Sequence, residues 1–129
     1  MSNVKKSFRE HLEKNCIIQT LQVEKKIPSQ KEESVKILFR TEEDQFIETV
    51  SMVDENRHTV CISSQVGCAL DCSFCATGQM GLQRNLSTGE IVDQLIFVRE
   101  NIKQPITNVV FMGMGEPFHN YENVLNASD

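Results

Sequence analysis

The chain has no run of about 18 apolar residues, the length a membrane-crossing helix needs. Its first stretch, "MSNVKKSFREHLEKN", holds no apolar segment of the kind a secretory leader carries. Both absences argue against a membrane partner or an exported chain, and a reducing, cytoplasmic location is the expectation. Internal repeats, low-complexity tracts and Gly/Ser linkers are missing too, so 129 residues leave room for one modest domain or pieces of two. Positive charge is scarce after residue 40, with four Lys/Arg against thirteen Asp/Glu. Residues 1–40 reverse the balance at nine against five, which falls short of the basic footprint of a self-sufficient nucleic-acid binder. A solvated charged face is the simpler reading. Five cysteines, an odd number in a reducing setting, point to metal or redox chemistry rather than disulfides.

What is present has a clear rhythm. Val4, Phe8 and Leu12 recur at helical spacing, predicting a helix over roughly 3–14. Ile17, Leu21 and Val23 fall on one face of an extended run, and Val35, Ile37 and Phe39 alternate with polar residues as in a half-buried strand. Turn-like "IPSQKEES" and "RTEEDQ" separate these from "FIETVSMV", and "TVCIS" reads as a fourth strand. The first half is therefore a short helix followed by an antiparallel meander. In the second half Ser87 with Glu90 forms a capping box, and Ile91, Leu95, Val98 and Ile102 line one face of a helix over about 88–102. "TNVVFM" reads as a strand buried on both faces, as in a parallel sheet, and runs through "GMGEP" into a short helix at 120–127. Strand, Cys-rich loop, helix, strand, Gly-rich loop, helix is the start of an α/β barrel or sheet. Chemistry in that architecture sits on the loops after the strands' C-terminal ends.

The loop "GCALDCSFCATGQ" carries Cys68, Cys72 and Cys75. A structural zinc site wants four tetrahedral ligands, usually as two close pairs. Here the spacing is C-x₃-C-x₂-C, with no fourth Cys or His close behind Cys75. Three thiolates suit a [4Fe–4S] cluster, normally a four-thiolate centre, with one iron left open to a small molecule. Zinc, or no metal at all, stay as alternatives.

C-x₃-C-x₂-C with Phe74 before the last Cys resembles the signature of the radical S-adenosylmethionine (SAM) superfamily. The resemblance implies a SAM molecule bound at the open iron through its amino and carboxylate groups, and reductive cleavage that releases a 5′-deoxyadenosyl radical. It implies that Phe74 packs between the cluster and the adenine end of SAM. It also implies that Gly115 and Glu116, in "GMGEP", contact the SAM amino group. Glycine permits close backbone approach, and a carboxylate complements an ammonium.

The resemblance narrows over "IETV", "CISSQVGCALDCSFCATGQMGLQRNLSTGEI" and "VVFMGMGEP", which are similar to the RlmN/Cfr group of radical SAM RNA methyltransferases. This implies methylation of an adenine ring carbon in large-subunit ribosomal RNA, and in transfer RNA for the RlmN branch. An electron donor such as flavodoxin or ferredoxin is implied as a further partner. Such a carbon is a poor nucleophile, so the family relays the methyl group through one of its own cysteines near the C-terminus. Release of the product then needs a base and a second thiol, for which the matching positions are Glu48 and Cys61. From pattern alone, Glu48 shares a strand face with Phe46, Val50 and Met52, and desolvation there would raise its pKa towards that of a neutral-pH base. An exposed edge position is the simpler alternative. Cys61 by itself reads as a small buried hydrophobe. Cys16 reads as packing, and His11, His58 and His119, lacking ligand spacing, as surface residues.

The expected organisation is residues 1–57 as an N-terminal helix and β-meander extension, with 58–129 as the N-terminal part of a radical SAM core, a partial (β/α) barrel. Two β/α units fit in that span, at about 30 residues per βαβ unit, and nothing here stands in for the methyl-carrying cysteine. The polypeptide is therefore expected to be a piece of the enzyme, with little or no methyl transfer on its own. A radical SAM enzyme of another substrate class and a non-catalytic metal-binding remnant are the competing readings.

Overall fold

The computed structural model describes residues 4–16, 19–30 and 33–129. Helix α1 (Lys6–Asn15) precedes strands β1 (Gln22–Pro28), β2 (Ser34–Arg40), β3 (Phe46–Asp54) and β4 (Arg57–Cys61). The two-residue strands β5 (Gln65–Val66) and β6 (Arg84–Asn85) bracket the Cys-rich loop and its one-turn helix α2 (Ala76–Gln79). Helix α3 (Thr88–Asn101), strand β7 (Asn108–Val110), a 3₁₀ turn at Pro117–Asn120 and helix α4 (Tyr121–Ser128) complete the chain.

Five strands form a sheet in the order β1-β2-β3-β4-β7, and β5 pairs with β6 apart from it. The first four make the expected antiparallel meander. β7 then joins β4 in parallel, with Cys61 opposite Val110. A parallel pair needs a crossover, and α3 supplies it. The result is the α/β architecture expected, the opening βαβ unit of a barrel preceded by a helix and a meander.

Alternation along the strands decides which face α3 covers. Ile37, Phe39, Ile47 and Val60 are at most 1% exposed and share one core with Ile91 and Val98 of α3. The Phe39 and Phe97 rings meet edge to face at 5.2 Å. Each such side chain contributes about 1.5–3 kcal/mol when fully buried, so this contact fixes the helix side of the sheet. The opposite face carries Phe46, Glu48, Val50 and Met52 of β3 with Thr59 and Cys61 of β4, none fully buried. Helices coat the outside of a β/α barrel, and this second face is the one α3 leaves uncovered.

Several expectations fail for reasons of position. Ile17 lies outside the described residues. Leu21 is buried, but Val23, opposite Phe39, is exposed because β1 is the outermost strand of the sheet. α1 buries none of its residues, Phe8 included, and Cys16 just beyond it is exposed rather than packed. "TNVVFM" is not buried on both faces. Only Asn108–Val110 is strand, and as the last strand of the sheet it leaves Val109 42% and Met112 81% exposed. His58, expected at the surface, is fully buried on the α3 side of β4. Its ring spans Ser51 Oγ and the Gln104 carbonyl at 2.8 Å each, and so ties β4 to the turn that leads into β7.

Candidate active site

The Cys-rich loop is a closed loop with a built neck. Val66 pairs with Arg84 and Gln65 with Asn85, and Cys68 N–H donates to the Gly81 carbonyl at 3.2 Å. Gly67 sits at φ 76°, and a Cβ there would lie 1.8 Å from that same carbonyl oxygen. Only glycine lets the two chains approach so closely. Beyond the neck the loop opens to solvent. Cys68 is buried, Cys72 and Cys75 are half-buried, and Phe74 is 91% exposed. The Gly78 N–H, followed by that of Thr77, points at the Cys75 sulfur and holds its pKa below the ordinary thiol value of 9.0. A thiolate is the ligand form of cysteine, so this turn favours metal binding.

The Gly-rich loop after β7 lies against the start of the Cys-rich loop. Gly113 N–H donates to the Ile62 carbonyl at 3.0 Å, and the Met114 carbonyl accepts from both Ser64 and Gln65 N–H. Gly115, at φ 97°, packs so tightly that a Cβ would come 2.5 Å from Gln65 Cβ. Glu116 N–H donates to Gln65 Oε1 at 2.8 Å, and the Glu116 carboxylate accepts from Phe118 N–H at 3.0 Å. The two motifs, about forty residues apart in sequence, are therefore one structural unit at the C-terminal ends of β4 and β7.

Glu48 and Cys61 lie on the open sheet face, two residues apart in register. Cys61 is opposite Val50, which puts Glu48 on the diagonal, ~7–8 Å away between Cα atoms. Glu48 does share its face with Phe46, Val50 and Met52, but that face is not closed over it. Its side chain is 41% exposed and pairs with Lys36 Nζ at 3.1 Å, because β2 places that lysine beside it on the open face. It also borders an open groove of about 210 Å³ together with Leu38, Phe46, Ala76, Thr77, Met80 and Met114, so the Cys-rich loop forms the opposite wall. Cys61 is half-buried. Burial pushes its thiol above 9.0, and a hydrogen bond from Met112 N–H offsets part of that rise, so it keeps its proton at neutral pH.

Three polar residues that sequence patterns did not single out bind the unit together. Ser63 Oγ donates to the Glu48 carbonyl at 2.6 Å and accepts from Met114 N–H at 2.9 Å. Gln94, fully buried on α3, accepts from Ser63 N–H and Thr49 Oγ1 and donates to the Ser63 carbonyl. Gln65 is fully buried as well. The only sequence signal for Gln94 is its place on the apolar face of α3. Ser63 and Gln65 offer none beyond their position between Cys61 and Cys68. A fourth group, Arg84 with Glu90, closes the far side of the neck. Two guanidinium hydrogen bonds of 2.9 and 2.8 Å reach the Glu90 carboxylate, which also completes the capping box of α3.

Among the described residues no three His, Cys, Asp or Glu side chains are close enough to hold a metal ion. The donor set itself fits a [4Fe–4S] cluster: three thiols on one loop, one of them biased towards thiolate. Among the described residues no helix is long and apolar enough to cross a membrane.

The site's two motifs match a known family. The sequence profile of the Radical SAM superfamily matches residues 62–128, just over half of the chain. The dual-specificity RNA methyltransferase RlmN of Geotalea uraniireducens is 46% identical over 127 residues, covering 98% of this chain and 36% of that protein. The probable dual-specificity RNA methyltransferase RlmN of Aquifex aeolicus is 44% identical, with 98% of this chain and 36% of that one covered. A solved structure of a radical SAM methyltransferase from Sphaerobacter thermophilus superposes with a TM-score of 0.92 at 43% identity, over 98% of this chain and 38% of that one. The chain thus spans about a third of the length of the curated relatives it matches. A superfamily that generally uses a [4Fe–4S] cluster and SAM accounts for the pairing of these two loops, and the chain belongs to the radical SAM superfamily.

Proposed function

We propose that this chain forms the radical-generating half-site of an enzyme that methylates an adenine ring carbon in 23S ribosomal RNA and in transfer RNA. The observation that carries the reading is the fusion of the Cys-rich and Gly-rich loops at one end of the sheet, beside a face bearing Glu48 and Cys61. Residues 58–129 supply that core portion and residues 1–57 the extension, with the sheet running unbroken between β3 and β4.

Cys68, Cys72 and Cys75 would hold the [4Fe–4S] cluster, and Gly115, Glu116 and Phe74 would contact SAM. The bound pair would supply one-electron cleavage of SAM to a carbon radical. Glu116 offers a carboxylate to an ammonium group, and Gly115 leaves room for the backbone to approach it. Glu48 sits on the open face, within reach of solvent and of Lys36, and can take a proton from a bound base once the ion pair is exchanged. Cys61 holds a protonated thiol a diagonal step away, suited to attack only after a base removes its proton. The reading calls for ribosomal and transfer RNA, a one-electron donor such as flavodoxin or ferredoxin, and a cytoplasmic setting.

Anaerobic reconstitution tests the first half. About four iron and four sulfide per chain support it, whereas stoichiometric zinc overturns it. The second half is tested by substituting the residues matching Glu48 and Cys61 in a full-length relative. Adenine methylation should fall by about 10²–10⁴-fold with iron content and SAM cleavage retained. Undiminished methylation in both variants would leave radical chemistry on another substrate.

A further inference from the structure

Gln65 lies between the two loops of the proposed cofactor site and uses both ends of its amide to join them. The residue is 0% exposed. Its Oε1 accepts from Glu116 N–H at 2.8 Å, and its Nε2 donates to Asn85 Oδ1 at 2.7 Å. Asn85 is the β6 partner of Gln65 across the neck of the Cys-rich loop. Gly115 packs directly on the Gln65 side chain, where a Cβ would come 2.7 Å from its Cγ. One side chain therefore contacts Gly115, Glu116 and the neck of the thiol loop at once. None of the residues implied by the family resemblance occupies this bridging place.

We propose that Gln65 is a positioning residue that sets the register of the Gly115–Glu116 segment against the Cys-rich loop, and so tunes SAM affinity without binding iron. The inference rests on the cofactor reading above for its SAM arm only. Without Gln65 Oε1, the part-buried Glu116 N–H loses the acceptor that ties its segment to the neck, so the segment would leave its present register. The three thiols are held by the loop's own backbone, which Gln65 touches only at the neck.

The test uses the reconstituted 129-residue chain with Gln65→Met, which keeps length and packing but removes both hydrogen bonds, and Gln65→Glu, which restores the acceptor for Glu116 N–H. Iron content, thermal unfolding, the SAM-induced change in the electron paramagnetic resonance spectrum of the reduced cluster, and single-amide hydrogen exchange are read for each. For Gln65→Met we expect unchanged iron, exchange at the Glu116 amide faster by at least tenfold, and a SAM titration midpoint raised about tenfold. Gln65→Glu should recover much of the amide protection. Unchanged Glu116 exchange in Gln65→Met overturns the inference, as does an unchanged SAM midpoint, or iron lost in step with thermal stability. An unsubstituted chain that binds neither iron nor SAM overturns the cofactor reading instead, and amide exchange alone then decides the role of Gln65.

Discussion

Two glycines of the Cys-rich loop have left-handed backbones but different surroundings, and the contrast gives a quantitative prediction. Gly67 has φ 76° and Gly81 φ 69°, so alanine at either position meets the left-handed penalty of about 1–2 kcal/mol. At Gly81 an added Cβ has nothing within 4 Å. At Gly67 it would lie 1.8 Å from the Gly81 carbonyl oxygen and 2.9 Å from the carbonyl carbon, both backbone atoms that cannot swing aside. The neck must then open, and the 3.2 Å bond from Cys68 N–H to Gly81 is lost. That adds about 0.5–1.5 kcal/mol. Strain beyond this is relieved by the opening itself, which bounds the total at roughly 1.5–3.5 kcal/mol for Gly67→Ala, against about 1–2 kcal/mol for Gly81→Ala. Urea unfolding of the apo variants measures the difference. Anaerobic reconstitution measures its consequence, because Cys68 is the thiol nearest the neck. Gly67→Ala should lose most of its iron while Gly81→Ala keeps it. Equal stability losses and equal iron loading in the two variants would falsify the claim that close approach at the neck organises the thiol loop.

Other predictions follow from single contacts. Ser63→Ala leaves the Met114 N–H and the Glu48 carbonyl without their partner, and urea denaturation should show a loss of about 2–3 kcal/mol; a loss under about 0.5 kcal/mol would mean that water replaces the hydroxyl. Burial opposes ionisation of Glu90, but hydrogen bonds from Arg84 and Ser87 outweigh it and leave the folded pKa below the ordinary 4.5. Its stabilisation is therefore complete above pH 4.5 and is lost as pH falls through the lowered folded value. Glu90→Gln should cost about 1–3 kcal/mol at pH 7 and flatten the acid limb of a stability–pH curve, and an unchanged limb counts against the ion pair. In the apo chain iodoacetamide should modify Cys75 with a half-maximal rate below pH 9.0 and Cys61 above it, as peptide mapping across pH 7–10 would reveal. Val109→Lys on the exposed last strand should leave urea stability within about 0.5 kcal/mol of the parent, since the side chain is already 42% exposed; a larger loss would mean that the strand is covered.

Local features were legible in the residue order because their causes are local. The capping box at Ser87 and Glu90 joins residues three apart, and it forms as the spacing predicts. Strict alternation in "VKILF" put Ile37 and Phe39 on one half-buried face, and in "FIETVSM" it put Glu48 on the face of Phe46, Val50 and Met52. The thiol spacing and "GMGEP" identified the superfamily, since ligand chemistry constrains those residues whatever surrounds them.

Periodicity states which residues share a face, but not what covers that face. It could not show that Lys36 and solvent, rather than apolar packing, meet Glu48, or that the last strand leaves Val109 and Met112 open. Nor does a polar letter reveal a buried partner. His58, Gln65 and Gln94 look like surface residues until segments distant in sequence bring Gln104, Glu116 and Ser63 to them. The sequence by itself determined the clustered thiols, the glycine-rich motif and the elements that carry them. Tertiary structure alone decided that the two loops are one unit, because the hydrogen bonds joining them, the buried Gln65 amide among them, span some fifty residues.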